Sequence, residues 1–204
     1  MGMPCVCVVP KMPTVRLMGL IVETLDPTDA YAQRRLKAID FSLAGFAISA
    51  AKLKSVATAV ANGRIGIEVG DTGPNFAAAY TLGANRHFTL RETKSVQDDN
   101  WRSQIVHESI HAAFDIEGSR PPNEIDEAVA YLGETVWFRA GGLGRVVTAP
   151  DAAAKIYGAA SALETRLDLH SKPGQRLTRD QAQDLIAAIN GHPGYAPSST
   201  SSTP

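Results

Sequence analysis

Residues 105–113 read Ile105-Val106-His107-Glu108-Ser109-Ile110-His111-Ala112-Ala113. The stretch contains His-Glu-x-x-His, and on a helix residues four apart are neighbours on one face, a single turn from each other. Two neutral imidazoles so placed can share a tetrahedral Zn²⁺, and Glu108 between them lies where it can take a proton from an attacking water. On a helical wheel Trp101, Ile105, Val106, Ser109, Ile110, Ala112, Ala113, Phe114 and Ile116 cover most of the circumference. His107, His111, Gln104, Asp115 and Glu108 share the remaining sector, roughly 100° wide. A helix that is apolar nearly all round is buried, so solvent does not account for this strip and a metal does.

Upstream of the motif, Arg64-Ile65-Gly66-Ile67-Glu68-Val69 alternates like a strand, and Gly70-Asp71-Thr72-Gly73-Pro74 is loop chemistry. Phe76 to Leu82 and Arg86 to Leu90 flank Gly83-Ala84-Asn85, a hairpin signature. A small, largely antiparallel sheet of about three or four strands is therefore expected before the motif helix. His87 reads as a half-exposed strand residue rather than a ligand. Asp98 or Asp99 suits the motif helix's N-cap. Downstream, Glu117 to Pro122 is a loop and Asn123 can cap a second helix running to about Arg139, stopped by Gly141-Gly142. Pro150-Asp151 opens an Ala-rich helix to about Leu169. Thr178-Arg179-Asp180-Gln181 has capping-box form ahead of a last helix ending at Asn190-Gly191.

In the N-terminal part, Leu36, Ile39, Leu43, Phe46, Ala50, Leu53, Ala57 and Val60 recur at three- and four-residue steps. That spacing predicts one long helix, bent at Gly45 and ended by Asn62-Gly63. Asp26-Pro27-Thr28 suits a helix start, and Val15 to Leu25 a short strand. The chain of 204 residues then divides into an N-terminal extension (1–25), one domain (26–191) and a disordered tail (192–204) that ends in the Ser/Thr/Pro run Pro197 to Pro204. A net charge of -1 leaves no electrostatic footprint for nucleic acid. Cys5 and Cys7 are too close together to staple distant elements, so no disulfide framework is expected. The opening residues lack a signal pattern, and no stretch is apolar enough to span a bilayer. These features imply a soluble protein made in the cytoplasm, exported only by a route that needs no cleaved signal.

Two histidines are too few for a stable zinc site, so a third ligand must come from elsewhere. The next helix, Asn123-Glu124-Ile125-Asp126-Glu127-Ala128-Val129-Ala130-Tyr131-Leu132, offers one. Here the chain resembles the gluzincin branch of His-Glu-x-x-His metallopeptidases, in which a second helix supplies a glutamate, often as Glu-x-x-Ala or Glu-x-x-Ser. Glu127-Ala128-Val129-Ala130 has that form, sixteen residues after His111, with Glu124 in reserve. The likeness covers about residues 64–139 and is to compact bacterial domains of minimal gluzincin type, some of which are secreted effectors or toxins. His111 is not followed by His-x-x-Gly-x-x-His, so the metzincin pattern fails.

The resemblance implies an α+β, zincin-like metallopeptidase fold, mostly helical, with Zn²⁺ held by His107, His111 and Glu127. It implies hydrolysis of a protein or peptide substrate with Glu108 as general base. It also implies an oxyanion-stabilising residue: Tyr131, one turn beyond Glu127, is the first candidate, with His170, His192, Tyr157 and Tyr195 open. Asp115 or Asp126 would orient a ligand histidine, and a strand within 76–91 would pair with the extended substrate. A toxin would have a cognate inhibitor as partner. The alternatives are a catalytically inactive zincin-like module that holds metal or regulates, and hydrolysis of a non-protein amide.

Overall fold

Ala44 and Gly45 both take positive φ, 51° and 90°, and this two-residue turn decides the architecture of the N-terminal half. In the computed structural model, which describes residues 12–72, 78–91, 99–143 and 152–195, the chain folds back there into a hairpin. Helix α1 (Met12–Leu25) is followed by α2 (Ala30–Lys37), whose N-cap Asp29 accepts from the Ala32 N–H at 2.9 Å. Strands β1 (Asp40–Leu43) and β2 (Phe46–Ser49) pair antiparallel, and α3 (Ala50–Ala61) ends at Asn62-Gly63 as expected.

The long helix expected from Leu36 to Asn62 is thus two helices with a hairpin between them. Phe41 and Leu43 are buried on one face of β1, and Phe41 pairs with Ile48 across the turn. An in–out alternation that turns a corner at Ala44-Gly45 mimics a three- and four-residue rhythm. Val15 to Leu25 is likewise helix, not strand: Leu17, Ile21, Thr24 and Leu25 are buried at helical spacing. Helix α1 packs on α3 and on the motif helix, so residues 12–25 contribute to the same core as residues 26–191.

Strands β3 (Gly66–Val69), β4 (Ala78–Thr81) and β5 (His87–Leu90) form a sheet in the order β3-β5-β4. The β4–β5 hairpin is antiparallel as expected, but β3 runs parallel to β5. A second sheet has the order β2-β1-β6, where β6 (Gln175–Leu177) lies parallel to β1. The described residues therefore hold two mixed three-stranded sheets in place of one largely antiparallel sheet. Local alternation marks a strand but not its partner, and both parallel pairings join segments that are distant in sequence.

Helix α4 (Asp99–Glu117) lies at the centre, against α1, α3, β4 and α5 (Asn123–Ala140). Gly133 of α5 faces Ile110 of α4, and a Cβ there would run into Ile110 Cδ1. Helix α6 (Ala152–Leu167) covers α5. A short 3₁₀ turn (Asp180–Ala182) then leads to α7 (Gln183–Asn190). The expected capping box forms: Thr178 N–H donates to Gln181 Oε1 at 2.8 Å and Gln181 N–H to Thr178 Oγ1 at 3.2 Å. The expectations at Cys5 and Cys7, Gly73-Pro74, Asp98, Pro150-Asp151 and Pro197 to Pro204 lie outside the described residues. The architecture is α+β, and no helix among the described residues is long and apolar enough to cross a membrane.

Candidate metal centre

Helix α4 is buried on nearly every side: Trp101, Ile105, Val106, Ile110, Ala112, Ala113 and Phe114 all lie in the core. The two histidines of its polar strip face α5, and Glu108 and Asp115 face the β4–β5 hairpin. The rings of His107 and His111 stand with centroids 5.1 Å apart, and His107 is only 7% exposed. Glu127 reaches across from α5, placing Oε2 at 3.5 Å from His107 Nε2 and Oε1 at 3.9 Å from His111 Nε2. One donor atom from each of the three residues lies within 4.8 Å of the others. Glu124, the reserve ligand, instead points to Arg179 at 2.8 Å.

Those separations are too long for good hydrogen bonds. They suit an ion: donors about 2 Å from a tetrahedral centre stand about 3.3 Å from one another. Among the described residues, Glu127 Oε2 and His107 Nδ1 are buried without a hydrogen-bond partner, a costly state for a carboxylate oxygen unless a cation meets it. The residues present therefore fit a bound metal.

The local field favours a cation. Burial pushes the His107 pKa down, but the carboxylates of Glu127, Glu134 and Glu108 outweigh it and leave the ring well above the ordinary histidine range. His111 is also raised, burial again being overcome, here by Asp126 and Glu127. Burial lifts Glu127, yet the two histidines bring it below the usual glutamate range. Glu108 is raised, because burial exceeds the help from His107 and His111. Protons on the imidazoles and a metal ion compete for one pocket of negative potential.

Each histidine has a carboxylate behind it. Asp126 Oδ1 stands 2.8 Å from His111 Nδ1, the place expected of Asp115 or Asp126. Asp115 does something else. Buried on α4, it accepts from Arg86 Nε at 2.6 Å, Arg120 at 3.1 Å, the Tyr80 hydroxyl at 3.1 Å and the Gly83 N–H at 3.4 Å. It thereby clips the β4–β5 hairpin onto the helix. From the same hairpin, the Tyr80 N–H donates to Glu108 Oε2 at 2.9 Å.

A cleft of about 280 Å³ opens onto the three donors. His107, Glu108, His111, Asp126 and Glu127 line it, with Ala78, Ala79, Tyr80 and Leu82 along β4 and just beyond it, and Tyr195 opposite. Tyr131 is not among its lining residues: its ring packs edge-on to His107 at 4.6 Å, and its hydroxyl meets that of Tyr195 at 2.9 Å. Of the other open candidates, His170 binds Glu164, His192 accepts from the Gly194 N–H, and Tyr157 donates to Glu134. His87 sits on β5 between Asn85 and Glu68, away from the donors.

Two features of the site are not expected from the sequence, the backbone of Tyr80 and the carboxylate of Glu134. Glu134 has a weak signal, since it shares a helix side with Glu127 two turns on. A backbone donor leaves none. No family model, curated protein or solved structure matches the chain.

Proposed function

We propose that this chain is a zinc-dependent peptidase of gluzincin kind. The observation that carries the reading is three donor residues with ligand atoms within 4.8 Å of one another, one of them bearing a buried carboxylate oxygen without a hydrogen-bond partner among the described residues, with a further acid, Glu108, beside them in an open cleft. His107, His111 and Glu127 would hold the ion. Bound zinc would supply a Lewis acid that makes water acidic near neutral pH and polarises a carbonyl.

Glu108 acts as the general base. The Tyr80 N–H holds its Oε2, which leaves Oε1 to take the proton of the attacking water and deliver it to the leaving amine. A proton acceptor works best with a pKa near the working pH, and burial moves Glu108 in that direction. The donor to the developing oxyanion is Tyr195 rather than Tyr131. Burial and the nearby Glu127 keep its phenol protonated, and Tyr131 fixes the hydroxyl from behind. Among the described residues β4 is an edge strand, and its Tyr80 N–H turns away from β5. An extended peptide can lie along that edge, its side chains against Ala78, Ala79 and Leu82.

The test is Glu108→Gln in the zinc-loaded protein against a mixed peptide library. Cleavage should fall by about a hundredfold or more with zinc content unchanged. A variant that cleaves as fast as wild type removes Glu108 from the mechanism. Wild-type protein that takes up zinc yet cleaves nothing points to the non-catalytic metal module.

A further inference from the structure

Glu134 is fully buried, 0% exposed, in the middle of α5, and the proposed reaction gives it no step. Helix α5 is itself enclosed: every residue from Ala128 to Phe138 is buried. An acid in such a place needs a reason, because removing a carboxylate from water costs several kcal/mol unless partners compensate. Its oxygens have partners. Ser103 Oγ of α4 donates to Oε1 at 2.7 Å and the Tyr157 hydroxyl of α6 donates to Oε2 at 3.2 Å. Oε2 also faces His107 Nδ1 at 3.5 Å, a buried ring nitrogen with no hydrogen-bond partner among the described residues. The imidazole thus lies between two carboxylates, Glu127 off Nε2 and Glu134 off Nδ1, at equal separations of 3.5 Å. Tyr131 walls the ring edge-on and Tyr157 walls Tyr131, so the ring has little room to turn.

We propose that Glu134 is the positioning residue of His107: its carboxylate, 3.5 Å from Nδ1, favours the proton on that nitrogen, fixes the tautomer and so turns the Nε2 lone pair toward Glu127. Asp126 Oδ1 stands correspondingly 2.8 Å from His111 Nδ1. One helix therefore supplies a ligand and both orienting carboxylates, while α4 supplies the two rings. Ser103, one turn before His107, and Tyr157 hold the Glu134 carboxylate where the ring needs it. The assignment rests on the metal-centre reading but not on hydrolysis.

The test compares Glu134→Leu and Glu134→Gln with wild type by zinc affinity, measured against a chelating indicator, and by ¹⁵N-histidine NMR of the zinc-loaded protein. Leucine should weaken zinc binding about ten- to a hundredfold and leave His107 without a protected Nδ1–H. Glutamine keeps a carbonyl acceptor and should recover most of the affinity and the Nδ1–H signal. A buried acid with a merely structural role would lower the melting temperature of the metal-free variants and leave affinity and tautomer alone. Wild-type zinc affinity in Glu134→Leu, with Nδ1–H retained, overturns the proposal. Zinc uptake without peptide cleavage defeats the proposed function and leaves this assignment standing; a wild type that takes up no zinc overturns both.

Discussion

At the scale of single residues, Asp115 shows how its partners decide the behaviour of a buried acid. Asp115 loses hydration on burial, but the Arg86 guanidinium, the Tyr80 hydroxyl and the Gly83 N–H more than offset that and hold its pKa below the ordinary aspartate range. An unfolded aspartate titrates near pH 3.9, so this stabilisation is complete above about pH 5 and is lost as the pH falls through the lower folded value. Asp115→Asn should cost about 2 kcal/mol at pH 7, a figure kept low because Arg120 is largely exposed. The gap to wild type in urea melts should narrow as the pH drops below about 4. A gap that widens in acid would mean that the ionised carboxylate is not what the clip uses. His107, Glu108 and His111 were legible in the sequence because a four-residue spacing is itself a helical geometry. Asp126 was legible as a neighbour of Glu127. Tyr195 was only one of several open candidates, since no local pattern ties it to α4.

At the scale of elements, the site is a contact between α4 and α5, and Gly133 sets how close they come. A methyl group there meets Ile110, which sits in the motif between Glu108 and His111. Gly133→Ala should raise intrinsic helix propensity by about 1 kcal/mol, yet overpacking costs about 1–3 kcal/mol. The melting temperature of the metal-free protein should therefore fall, and zinc affinity with it, as the helices are pushed apart. A higher melting temperature at unchanged affinity would show that the glycine is not there for close approach. Helices α5 and α7 could be read from sequence because Gly141 and Gly191 stop them, although Asn123 is the first residue of α5 rather than its cap, a position held by Pro122. The β1–β2 hairpin could not: its turn carries Ala44 where Asn or Asp would have announced it, and only Gly45 hinted at a break. The mixed character of both sheets was also hidden, because β3–β5 and β1–β6 are pairings across intervening chain.

At the scale of the whole molecule, candidate ligands from two helices mean that a metal bound there would be coupled to the fold. Zinc that binds the native protein alone stabilises it by about 2.7 kcal/mol at a free concentration one hundred times Kd. For a chain of this size that is a rise in Tm of about 5–10 °C. Chelator should reverse the rise in wild type and have no effect on His111→Ala. Equal melting of wild type with and without zinc would deny the coupling. The parallel pairing of β6 with β1 carries a further consequence, one of timing. Synthesis proceeds from the N-terminus, so a growing chain holds His107, Glu108, His111 and Glu127 well before β6 and Tyr195 exist. Until residues 175–177 dock beside β1 and Tyr195 reaches Tyr131, the nascent protein has its ligands but not the phenol that completes the cleft. On the proposed chemistry, a half-made molecule is a poor peptidase toward itself and its neighbours until residues 175–195 have been made and docked.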